Sequence, residues 1–97
     1  NYNSNYNIPQ LQVVELKNTE AIEGVYSGEG YNYKITVFRK GDSLMVQRTG
    51  QNPIKTEAKS DTEFKIERLD ANFKFAPKDN KLEYVQYGKG YILYKED

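Results

Sequence analysis

Residues 24 to 46 read GVYSGEGYNYKITVFRKGDSLMV. Within this stretch the odd positions Tyr31, Tyr33, Ile35 and Val37 are aromatic or aliphatic, and Asn32, Lys34 and Thr36 between them are polar. Alternation of period two is the mark of a strand with one face buried, because successive side chains leave a pleated backbone on opposite sides. Lys40, Gly41, Asp42 and Ser43 have the composition of a tight turn, after which Leu44 and Val46 continue the inward set. Upstream, Val25 and Tyr26 lie between Gly24 and Gly28, and the Gly28-Glu29-Gly30 step permits a sharp bend or a bulge. Three short strands joined by two turns seed a β-meander.

The pattern repeats downstream. Thr49 to Asn52 turn the chain, and Pro53 suits the start of a strand or a sheet edge. Ile54, Thr56 and Ala58 then alternate with Lys55, Glu57 and Lys59. Ser60 and Asp61 turn the chain into Phe64 and Ile66. Phe73 and Phe75 flank Lys74, and Pro77 to Asn80 form the clearest turn. Leu82, either Tyr84 or Val85, and Tyr87 belong to the next strand, whose facing is open because Tyr84 and Val85 are adjacent and a bulge would reverse it. Gly88 and Gly90 about Lys89 read as a hairpin turn before Tyr91 to Tyr94.

Counted together, these signals predict an all-β domain, a small antiparallel up-and-down barrel of about eight short strands, with turns at a spacing of roughly 8 to 12 residues. No helical period long enough for a parallel crossover separates them. Ile35, Val37, Leu44, Val46, Phe64, Phe73 and Phe75 are expected to meet in one interior. Before the barrel, Asn18 or Thr19 is placed to cap a short N-terminal helix over Glu20, Ala21 and Ile22 that Gly24 ends. Leu11 to Leu16 read as a short extended segment. The asparagine- and tyrosine-rich residues 1–10 read as a linker tail, so that 11–97 form the single domain.

Composition narrows the chemistry. The 97 residues carry 14 Lys and Arg against 14 Asp and Glu, so no net field draws the chain to nucleic acid or anionic lipid. The absence of Cys and His removes thiolate nucleophiles, histidine relays and the usual zinc sites. No apolar run approaches the roughly 18 residues of a membrane span. The chain opens on Asn1 without an initiator methionine, which fits a mature or trimmed piece of a longer protein.

Few motifs carry chemistry. Glu57, Asp61, Glu63, Glu67, Asp70 and Glu83 show no spacing that would pair two of them across a cleft, and alternating signs at Glu63, Lys65 and Glu67 describe a solvated strand face. Asp42, Asp79 and Asn80 are turn residues without a calcium loop's density of oxygen ligands. Neither a catalytic set, a metal nor a cofactor is expected. Nine tyrosines, with no Trp, are the exception. Closing a meander brings its first and last strands together, so Tyr26, Tyr31, Tyr33, Tyr84 and Tyr91, with Tyr87 and Tyr94, could line a barrel mouth that holds a small apolar or sugar ligand. They could equally be core and seam packing with hydroxyls turned to water.

The order of signals resembles a known family. Gly24, Tyr26, Gly28, Tyr31, the Ile35 and Val37 pair, Gly41 with Leu44, Phe64, and Phe75 followed by Asp79 are similar to the small C-terminal domain of unknown function that follows serine beta-lactamase-like hydrolase domains in bacteria. The likeness runs from about Leu16 to Tyr94. It implies a lipocalin-like or streptavidin-like barrel acting as a non-catalytic accessory module. It also implies an exported parent protein, in the periplasm or at the cell surface, and a partner that is the adjacent hydrolase domain or another envelope protein. No family residue carries a function that transfers to this chain.

Overall fold

A computed structural model of the chain describes residues 18–97. The expected tail over residues 1–10 and the extended segment from Leu11 to Leu16 lie outside the described residues. The rest is an all-β fold of nine strands: β1 (Gly24–Gly28), β2 (Tyr31–Lys40), β3 (Ser43–Arg48), β4 (Ile54–Lys55), β5 (Glu57–Ala58), β6 (Glu63–Ile66), β7 (Ala71–Ala76), β8 (Lys81–Gln86) and β9 (Lys89–Lys95). One sheet runs in the order β4-β3-β2-β1-β9-β8-β7-β6-β5, and every pairing in it is antiparallel.

All neighbours are consecutive in sequence except β1 and β9, which meet through Tyr26 opposite Lys95 and Ser27 opposite Tyr94. The other two ends of the sheet, β4 and β5, are separated by Thr56 alone. Ile54 pairs back to Val46 of β3, while Ala58 pairs forward to Phe64 of β6. The two segments are thus halves of one bent strand, and the meander curls into a nearly closed barrel.

Side-chain parity builds the interior. All seven residues expected to meet there are buried, joined by Tyr26, Ile66, Ala71, Leu82, Tyr84 and Leu93. Full burial of each large aliphatic or aromatic side chain contributes roughly 1.5–3 kcal/mol, so this face, repeated on consecutive strands, is the main source of cohesion. Tyr26, Phe64 and Phe75 meet edge to face at ring separations of 5.6 and 5.9 Å.

Two expectations are corrected, and a point the sequence leaves open is resolved. The short N-terminal helix is absent: among the described residues there is no α-helix, and Thr19 to Glu23 make a single turn in which the Ile22 and Glu23 amides donate to the Thr19 carbonyl at 3.0 and 3.1 Å. The cap does form, since Asn18 Oδ1 accepts from the Glu20 amide at 2.9 Å. Too few residues separate it from Gly24 to repay helix nucleation before β1 begins. The last hairpin turns at Tyr87 and Gly88, both with positive φ (51° and 78°), while Lys89 and Gly90 belong to β9. A two-residue loop with two left-handed residues matches the twist of its strands, and it takes Tyr87 out of β8. The irregularity in pairing lies between β1 and β2, at the glycine step expected to bend or bulge, where Tyr26 faces Ile35 but Gly28 faces Tyr31. β8 pairs without a break, so Tyr84 points in and Val85 points out.

The two ends of the barrel differ. At the end where β1 starts, the Thr19–Glu23 turn is drawn in by buried Ile22 and by Tyr26, whose hydroxyl donates to the Ile22 carbonyl at 2.9 Å. The opposite end, where β3 and β8 finish and β7 and β9 begin, is hollow. Among the described residues no helix is long and apolar enough to cross a membrane.

Candidate functional site

The hollow end is built by continuing each strand's inward parity one step past the apolar core. On β3 the inward set Leu44 and Val46 ends on Arg48, and on β8 the set Leu82 and Tyr84 ends on Gln86. Two hollows of about 490 and 450 Å³ open there, and Arg48, Tyr84 and Gln86 line both. The larger has an apolar floor that includes Ile35, Val46, Ile66 and Phe73 and a rim that includes Asn52 and Arg68. The smaller lies against Tyr31, Tyr33, Tyr87 and Tyr91, with Lys89 at its edge.

Four of the five tyrosines expected at a mouth come together. Tyr31 sits 4.7 Å from the Tyr91 ring, 5.8 Å from Tyr84 and 5.6 Å from Tyr33, and Tyr84 stacks between Phe73 at 5.0 Å and Tyr91 at 6.0 Å. Tyr26 is the exception. It is wholly buried toward the plugged end and lines neither hollow, so it is a core residue and not a wall of the mouth. Alternation assigns a side chain to the inner face, but its height along the barrel axis depends on the stagger of the strands. Tyr94 is 52 % exposed on the outer wall, because its place in β9 is one step out of phase with Tyr91 and Leu93.

Polar groups in the mouth are unevenly satisfied. The Tyr84 hydroxyl donates to Gln86 Oε1, and Gln86 Nε2 donates to the Leu69 carbonyl at 3.2 Å. Burial pushes the Tyr84 phenol up to about 12, with the neighbouring Tyr31 adding to the rise. The Tyr31 hydroxyl is buried and no group among the described residues reaches it with hydrogen-bonding geometry. Burial raises its pKa, and the nearby Arg48 guanidinium opposes that rise. Arg48 itself lies over the Tyr33 ring at 4.6 Å, and Lys89 over Tyr91 at 5.8 Å.

Arg48 and Gln86 are absent from the sequence-based expectation, although a signal for them exists. Each stands two residues beyond an inward apolar position, and a polar residue at that phase near a strand end marks the lip of a barrel. Among the described residues, no three His, Cys, Asp or Glu side chains gather as a metal site. Compared with protein-family models, with curated proteins and with solved structures, the chain finds no match in any of the three.

Proposed function

We propose that the domain is a non-catalytic binding module that takes a small ligand into the tyrosine-lined mouth of the barrel. The observation that carries this reading is the pair of hollows at one end, the larger floored by apolar side chains, the smaller walled by tyrosines, and both sharing Arg48, Tyr84 and Gln86. Binding sites for small molecules are concave, mostly apolar and furnished with a few fixed polar groups. Among the described residues the opposite end is closed by Ile22 and Tyr26, which leaves one way in. Tyrosine-selective NMR tests the reading with 1-octanol as a neutral apolar probe and a methyl glucoside as a sugar probe. The expected result is that one of them moves the resonances of Tyr31, Tyr84 and Tyr91 and leaves Tyr26 and Tyr94 in place. Shifts confined to Tyr94, or none, overturn it.

A second reading rests on the outer wall. Val85, Ile92 and Tyr94 are 37 %, 46 % and 52 % exposed and stand on the same face of the paired strands β8 and β9. They form a short apolar patch flanked by Glu83 and Lys81, which stand opposite Ile92 and Tyr94, and an apolar patch with a charged rim suits a docking surface. On this reading the barrel is the accessory module that the family resemblance implies, set against a hydrolase domain or another envelope protein of an exported bacterial protein. The complete reading frame supplies the test. An upstream domain with a Ser-x-x-Lys motif is expected to co-purify with this barrel and to lose that association with Ile92→Lys. A frame without such a domain removes the hydrolase as partner, and an association that survives Ile92→Lys removes the docking surface.

A further inference from the structure

We infer that the ligand of the mouth is an amphiphile with an apolar body and a single anionic head, a monocarboxylate of modest chain length, with Arg48 holding the head. The inference rests on the reading of the mouth as a binding site and adds its charge preference.

Four observations lead to it. The first is the sign of the lining: Arg48 and Arg68 face the larger hollow, Arg48 and Lys89 the smaller, and neither is lined by an Asp or a Glu. In a protein whose opposite charges balance overall, a pocket with cations alone is a local choice. The second is the position of Arg48. It takes the inward phase of β3 after Leu44 and Val46, where an apolar side chain would extend the core, and it is half-buried there. The four ion pairs among the described residues use Lys34, Lys65 and Lys81, so none of them neutralises Arg48.

The third observation is geometric. The Arg48 guanidinium carbon lies over the Tyr33 ring at 4.6 Å, and a guanidinium has five N–H donors, more than a ring contact can occupy. The contact therefore holds the cation in the mouth with donors left for a planar carboxylate. Fourth, the Tyr31 hydroxyl, buried and without a hydrogen-bond partner among the described residues, lies in the same hollow as Arg48. A carboxylate oxygen accepting from both would satisfy it. A sugar fits less well. Tyr84 is stacked between Phe73 and Tyr91, Tyr91 carries Lys89 and Tyr31, and one face of Tyr33 carries Arg48, so of the rings in the hollow only Tyr87 at the rim is without a ring or cation contact among the described residues.

The test is calorimetric titration of the full chain with octanoate, 1-octanol and octyltrimethylammonium, all below the concentrations at which they aggregate. Octanoate is expected to bind about tenfold more tightly than octanol, in line with a charge-assisted bond in a partly dry site, and the cation most weakly. Arg48→Gln is expected to lower octanoate affinity about tenfold and octanol's much less, so that the two come together. Tyr31→Phe, which keeps the ring and the packing, should lower octanoate affinity severalfold and octanol's less. Equal affinity for octanoate and octanol in the unaltered chain overturns the anionic head and leaves the binding mouth standing. Failure of all three probes, together with the sugar, removes both.

Discussion

Tyr26 and Ile22 are joined by a hydrogen bond of 2.9 Å from the tyrosine hydroxyl to the isoleucine carbonyl, inside the barrel and four residues apart in sequence. That bond folds the Thr19–Glu23 turn back over the end of the barrel and lets Ile22 complete the core. Tyr26→Phe keeps the ring contact with Phe75 and removes only the donor. A lost buried hydrogen bond that leaves its acceptor unpaired costs about 1–2 kcal/mol. The expected outcome in urea is a lower midpoint with an unchanged slope. An unshifted midpoint would mean that the turn contributes nothing to global stability.

The same tyrosine, with Tyr84, makes the fold sensitive to alkali. Burial pushes both phenols up to about 12, against about 10 in an unfolded chain. Below pH 10 both states keep these protons and the contribution is fully present. Between about 10 and 12 the unfolded chain releases them and the folded chain does not, so stability falls by about 1 kcal/mol per pH unit for each group. Above about 12 the contribution is gone. Urea midpoints measured from pH 8 to 11.5 should therefore decline, and Tyr26→Phe should decline less steeply than the unaltered protein. Parallel declines in the two proteins would assign the effect to lysine deprotonation instead.

What the chain discloses before any coordinates follows from what alternation encodes. Ile35 with Val37, Leu44 with Val46, and Phe73 with Phe75 are each separated by one polar residue, and all lie in the core. Period two fixes the face of a strand, and turn residues fix the order of strands, so the meander was legible. Alternation does not fix position along the axis, so by itself it groups Tyr26 with tyrosines at the far end. It is also silent where two apolar residues adjoin, as at Tyr84 and Val85, until the partner strand supplies the register. Arg48 does not stand out in the sequence because a charged residue at a strand end is ordinarily solvated, and only a nearly closed barrel turns its phase into an inward direction. The turn at Glu20 to Ile22 has a helix cap without a helix, since capping chemistry is local and helix length is not.

Thr56 holds the place where one strand changes partners. Its amide and its hydroxyl both donate to the Leu44 carbonyl, at 3.0 and 2.8 Å, between the half of the strand that pairs with β3 and the half that pairs with β6. Thr56→Val preserves shape and the amide bond but deletes the hydroxyl, so the carbonyl keeps one partner. The expected loss is about 1 kcal/mol, read as a lower midpoint in urea. Thr56→Pro removes the amide donor as well, leaves the buried carbonyl unpaired and is expected to cost about twice as much or more. Equal losses for the two variants would show that the amide is dispensable at the bend.

The seam between β1 and β9 is the shortest part of the barrel's closure that joins strands distant in sequence, with two residue pairs against six between β8 and β9. Gly28 stands beside it, and a methyl group there would collide with the Ile92 carbonyl oxygen and come within 3.0 Å of Leu93 Cδ2. A backbone carbonyl held in a sheet has little room to yield, so Gly28→Ala must push β1 away from β9. Overpacking of this kind costs about 1–3 kcal/mol, and here the cost falls on the closure of the ring. Native-state hydrogen exchange localises the effect. Amides of β1 and of the second half of β9 should lose protection in the variant, while those in the centre of β7 and β8 keep theirs. A uniform loss across all strands would instead mean that the barrel opens only as a whole and that the seam is not its weak point.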